Sequence, residues 1–105
     1  MRRKLHELAH CRAGDKGDTS ILTLVAYRRA DYALLAGRAS AAAVAAHLSG
    51  LVAGEVQRFA LPELGALQFV CEHALQGGVT TSLALDAHGK SLSAALLEMV
   101  IDDDE

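Results

Sequence analysis

The chain has 105 residues, 51% of them hydrophobic and 22% charged, with a formal net charge of -3. That length supports one domain burying roughly 60 to 70% of its unfolded surface, and the mixture argues against a disordered or repeat chain. With no Trp, two Phe and two Tyr the core must be mostly aliphatic; ten Lys and Arg against thirteen Asp and Glu, with no basic stripe, argue against a nucleic-acid surface.

The opening "MRRKLHELAH" carries a basic cluster but no apolar run after it, so no signal peptide is read and a cytoplasmic location is expected. Its last five residues, His6 to His10, match H-E-x-x-H, which holds zinc only when a helix puts both histidines on one face. Residues 4–12 read instead as an extended segment, on which the two histidines would stand about 13 Å apart at roughly 3.3 Å per residue. No metal and no cofactor are therefore expected. A second extended segment, residues 19–27, follows "AGDKGD", whose paired glycines signal the turn of a hairpin. In it Ile21, Val25 and Tyr27 share one face and Leu22, Leu24 and Ala26 the other, the pattern of a central strand covered on both sides.

Asp31 is expected to cap a short helix through Gly37, and Ser40 a second one in which Val44, Leu48, Leu51 and Val52 recur up to a stop at Gly54. His47 borders that apolar stripe. The segment Ala39 to Val56 is too interrupted to span a membrane. Residues 55–61 read as a strand ended by Pro62. Leu64, Leu67, Cys71 and Ala74 then fall at helical spacing, predicting a helix up to Gly77 and Gly78 with Glu72 and His73 on its surface. "TTSLALD" alternates as a half-buried strand, closed by a turn that Asp86 caps. Ser91 is expected to cap a last helix burying Leu92, Ala95, Leu96 and Met99. Residues 102–105 are read as an acidic tail and residues 1–101 as the domain. Cys11 and Cys71 lack C-x-x-C spacing and are expected as reduced thiols. The order strand, strand, helix, strand, helix, strand, helix describes an α+β domain, with right-handed crossovers between the later strands.

The stretch with the most chemistry is Arg12 to Asp18. Gly14 and Gly17 can present backbone N–H groups to an anion, Lys16 is a point charge, and Asp15 and Asp18 offer hydrogen bonds. Two residues apart on a strand, His10 and Arg12 share a face next to this loop and can complete the site, whereas Cys11 points away from His10.

Three pieces in order carry a family resemblance: R-x-G-D-K-G-D at Arg12 to Asp18, L-P-E-L-x-A-L-x-F-V at Leu61 to Val70, and G-G-x-T-x-S-L-x-L-D at Gly77 to Asp86. From about Leu5 to Ile101 the chain resembles the small C-terminal domain of the acyclic terpene utilisation (AtuA) family. The resemblance implies a two-layer ferredoxin-like sandwich, with helices packed on a sheet of about four strands. It also implies a role in terpenoid or acyl-CoA catabolism and, because family members commonly carry a larger N-terminal domain, a partner on a separate AtuA-type catalytic chain.

The reading these features favour is an accessory or ligand-binding module for an anionic metabolite, an acyl-CoA or a branched carboxylate. It would bind through His10, Arg12, Gly14, Asp15, Lys16, Gly17 and Asp18. One alternative is a small enzyme of that pathway with Asp15 or Asp18 as acid/base beside Lys16. Another is a structural domain whose sheet edges pair in a homo-oligomer. No membrane partner is expected.

Overall fold

The structure is a computed structural model that describes residues 2–17, 19–74 and 90–102, with the backbone alone at 15, 16, 90 and 91. The predicted strand at "TTSLALD", the cap by Asp86 and the end of the acidic tail lie outside the described residues.

Its main sheet is antiparallel in the order β2-β3-β5-β4, built from β2 (Ala9–Lys16), β3 (Thr19–Ala26), β4 (Val56–Leu61) and β5 (Ala66–Cys71). A two-stranded ribbon pairs β1 (Arg2–Lys4) with β6 (Val100–Asp102), setting Arg2 opposite Asp102. Among the described residues three helices, α1 (Tyr32–Arg38), α2 (Ala41–His47) and α3 (Lys90–Leu97), lie against β3, β4 and β2 respectively. Since β5 runs antiparallel to both neighbours, β3 and β4 are parallel with β5 inserted between them. The helices that join β3 to β4 thus complete a split β-α-β unit, the signature of ferredoxin-like folds.

The hairpin forms where the sequence placed it, with changed boundaries. Leu5–Glu7 is a 3-10 turn rather than strand, because Leu5 turns its side chain into the core and its N–H pairs with the Met99 carbonyl at 2.9 Å. Pairing then runs to Lys16↔Thr19, leaving a two-residue connection. Gly17 takes φ +65°, a conformation that primed hairpin turns require and side chains oppose. Gly14, by contrast, is ordinary strand opposite Ile21.

Ser40 caps α2, accepting from the Ala43 N–H at 3.1 Å, and α2 ends at His47 rather than Gly54. Asp31 precedes α1 but makes no side-chain cap; it lies 3.8 Å from Arg28 instead. Helix α1 is closed at its other end by Arg58 from β4, whose guanidinium donates to the carbonyls of Ala36 (2.7 Å) and Ala39 (3.1 Å), groups that helix ends leave without partners. Ser91 falls inside α3 rather than before it.

The largest correction concerns residues 64–74. The predicted helix does not form: Ala66–Cys71 is strand β5, and Glu72 and His73 lie in the turn after it. Pro62–Leu64 make a 3-10 turn and Gly65 adopts φ +63°, which reverses the chain into a hairpin with β4, so no crossover occurs there. Leu67, Phe69 and Cys71 are fully buried and alternate with half-buried Gln68 and Val70, a period of two.

One core unites the helices with one face of the sheet. Leu22 and Leu24 of β3, Leu67, Phe69 and Cys71 of β5, Leu35, Val44, Leu48, Leu92 and Leu96 of the helical layer, and Leu5 and Ile101 of the ribbon are buried together. The opposite sheet face departs from the two-sided cover that β3 predicts. Thr19, Ile21, Thr23 and Val25 are only half-buried there, while Ser20, Leu22 and Leu24 on the helical side are closed off.

Candidate anion-binding site

Among the described strands β2 is an edge of the sheet, and its alternation decides which residues share the face away from the helices. Register sets His10 opposite Val25, Arg12 opposite Thr23 and Gly14 opposite Ile21, all on the face away from the helices. Spaced two residues apart, His10 and Arg12 stand about 7 Å apart along the strand. Arg12 is exposed and His10 half-buried. Backbone pairing continues through Asp15↔Ser20 and Lys16↔Thr19 to the Gly17 turn; Asp18 lies outside the described residues.

The sequence did not flag Tyr27 as part of this surface. Its ring lies 5.6 Å from that of His10, tilted by 34°, and its N–H donates to the Leu8 carbonyl at 2.9 Å. The signal was present: Tyr27 shares the face of Ile21 and Val25, and Val25 is the cross-strand partner of His10. The arrangement is a shallow strip, the Arg12 cation beside a histidine in tilted ring contact with Tyr27, leading to a glycine turn. It can attract and orient a carboxylate or phosphate.

Cys11, between them, faces the core and its Sγ lies 3.8 Å from the Arg12 carbonyl. Burial pushes its thiol up to about 12, helped by the charge that Cys71 would carry, and burial raises Cys71 to about 11. Both are free cysteines. Burial thus holds Cys11 in its thiol form near neutral pH, which disfavours it as a nucleophile. The folded chain holds these two protons more tightly than the unfolded chain. Stability is therefore expected to be full below the ordinary thiol range near 9 and to fall as pH rises towards 11 to 12. Urea titrations between pH 8 and 11 check this, and Cys11→Ala should flatten the decline.

The H-E-x-x-H segment is not an α-helix. His6 lies in the 3-10 turn and His10 in β2, while Glu7 accepts from Arg3 Nε at 3.3 Å and faces the Lys4 backbone N–H at 3.4 Å. Among the described residues no three His, Cys, Asp or Glu side chains are placed to hold a metal ion. A second cationic surface, Arg2, Arg3 and Lys4, lines a hollow with Glu7 and Val100. Its charge is partly answered: Lys4 Nζ lies 2.7 Å from Glu98, which raises the Lys4 pKa and lowers that of Glu98. His47 Nε2 donates to the Ala95 carbonyl at 2.7 Å, joining α2 to α3.

The family model of the AtuA ferredoxin-like domain matches residues 3–102 of the 105. The chain belongs to the AtuA ferredoxin-like domain family. No curated protein and no solved structure matches it. In this AtuA-like domain the match spans both the R-x-G-D-K-G-D hairpin and the β4–β5 hairpin. No helix among the described residues is long and apolar enough to cross a membrane.

Proposed function

We propose that this AtuA-like domain is an accessory or ligand-binding module for an anionic metabolite, an acyl-CoA or branched carboxylate of terpenoid or acyl-CoA catabolism in the cytoplasm. It serves a larger AtuA-type catalytic chain. The observation that carries the reading is the strip on β2: Arg12, exposed, and His10, in tilted ring contact with Tyr27, share the face that no described helix covers and lead into the Gly17 turn. Arg12 supplies a planar fork for a carboxylate or phosphate, and Lys16, at the end of the same strand beside the Gly17 turn, adds a second positive charge to the hairpin.

Thermal unfolding of the wild type, Arg12→Ala and Lys16→Ala with acyl-CoA thioesters, branched carboxylates and inorganic phosphate tests it. At 100 times its dissociation constant a ligand adds about 2.7 kcal/mol, a shift of many degrees in a domain of this size. The wild type is expected to gain that shift and both variants to lose it. Equal shifts in all three proteins, or none in any, would remove the strip as a binding site. Turnover lost in Asp15→Ala or Asp18→Ala with affinity kept would favour the enzyme reading instead.

A further inference from the structure

The face of the main sheet that no described helix covers has a pattern of its own. Cross-strand partners share a face, so register arranges it in three rows running from β2 to β4. One row is His10, Val25, Ala66, Leu61; the next is Arg12, Thr23, Gln68, Phe59; the third is Gly14, Ile21, Val70, Gln57. Gln68 donates to Thr23 across the middle row at 3.4 Å, which confirms the shared side. Ile21, Val25, Val70 and Leu61 are half-buried, Phe59 is 48% exposed, and Tyr27 extends the apolar area at 61% exposed. A cation stands on the β2 edge and an aromatic knob on the β4 edge. Beside the cation is Gly14, where an added Cβ would meet nothing within 4 Å. Nothing inside the described fold requires a glycine there, and its lack of a side chain leaves room beside Arg12 for a group from another molecule.

We propose that a second copy of this chain packs on that face about a two-fold axis parallel to the strands, β2 of each copy over β4 of the other. Two packed sheets can be related by a two-fold in only two aligned ways. An axis across the strands would set Arg12 against Arg12, two like charges facing each other at the rim with no counter-charge between them. An axis along the strands sets Phe59 of the second copy over Arg12 and the space beside Gly14, Leu61 over His10, and Val70 over Ile21. Every such contact occurs twice, and Arg12 meets a ring face instead of a like charge.

The face is large enough for this. Four strands about 4.8 Å apart and about 20 Å long give a plan area of roughly 400 Å² per copy. With side-chain relief and Tyr27 at the rim, two copies reach about the 1,000 Å² of a specific but weak interface. Because β2 is the edge strand among those described, His10, half-buried, and Arg12, exposed, stay at the rim of such a dimer. The dimer therefore stands independently of the anion reading.

Sedimentation velocity from about 1 μM to about 200 μM brackets the affinity of such an interface. The wild type is expected to shift to twice the 11.0 kDa chain as concentration rises. Phe59→Asp and Val70→Lys should each weaken association at least about tenfold with the circular dichroism unchanged. A cross-linking arm, made on Cys11→Ala, does not depend on how those variants fold. Arg12→Cys with Phe59→Cys should give a covalent dimer on mild oxidation, and neither substitution alone should. Within one copy the two positions stand about 14 Å apart, beyond disulfide reach. A monomer at every concentration overturns the proposal and assigns the face to another occupant. So does cross-linking through Arg12→Cys alone, or a dimer indifferent to both charged substitutions, which would place the contact on the sheet edges.

Discussion

Phe69→Ala is expected to cost about 3 to 5 kcal/mol, a large share of the stability of a domain this small. Phe69 is fully buried at the centre of β5, with Leu22 of β3 on one side and Arg58 of β4 on the other. Its truncation opens a cavity between the two inner strands and the helical layer, and the strands, held by backbone pairing, cannot collapse into it. Urea denaturation measures the loss, and the melting temperature should fall by more than about 10 °C. A variant within about 1 kcal/mol of wild type would mean that β5 does not carry the centre of the core. The contrasting Val70→Ala, on the half-covered face, should cost much less.

Gly54→Ala is expected to be the second large effect, about 1 to 3 kcal/mol. A Cβ built there would lie 2.6 Å from the Glu72 carbonyl oxygen and 2.6 Å from His73 Cδ2. The Glu72 carbonyl cannot retreat without breaking its 3.0 Å bond from the Gly54 N–H, which together with Glu72 N–H to Glu55 extends the β4–β5 pairing. Gly37→Ala in α1 is the control: nothing lies within 4 Å of its Cβ, and alanine there should be neutral or stabilising by up to about 1 kcal/mol. Similar losses in both would show that the close approach at Gly54 is not the cause.

These two residues also show where sequence reasoning reached and where it stopped. Gly54 reads locally as a helix stop, because the group that forbids a side chain there belongs to the far end of the next hairpin. Residues 64–74 satisfy both a spacing of three and four, through Leu64, Leu67, Cys71 and Ala74, and a spacing of two, through Leu67, Phe69 and Cys71. A single apolar stretch cannot choose between them. The choice was made by β3 and β4, whose hydrogen-bonding edges flank the segment, and by the left-handed Gly65 that turns it back. The β1–β6 ribbon was illegible for a similar reason: three residues at each end of the chain have no periodicity, and only their pairing makes them strands.

What the sequence by itself determined is local or carried by family likeness. The α+β class, the β2–β3 hairpin with its Gly17 turn, the Ser40 cap, the strand before Pro62 and the shared face of His10 and Arg12 follow from steric rules and periodicity acting over a few residues. Membership of the AtuA ferredoxin-like domain family was legible in its motifs. Tertiary structure alone decided the strand order β2-β3-β5-β4, the identity of β5, the ring contact of Tyr27 with His10 and the layer on which the described helices gather. It also decided that β3, apolar on both faces, is covered on one. Periodicity says how many faces of a strand are apolar; which of them finds a partner is settled by where the rest of the chain, or another chain, packs.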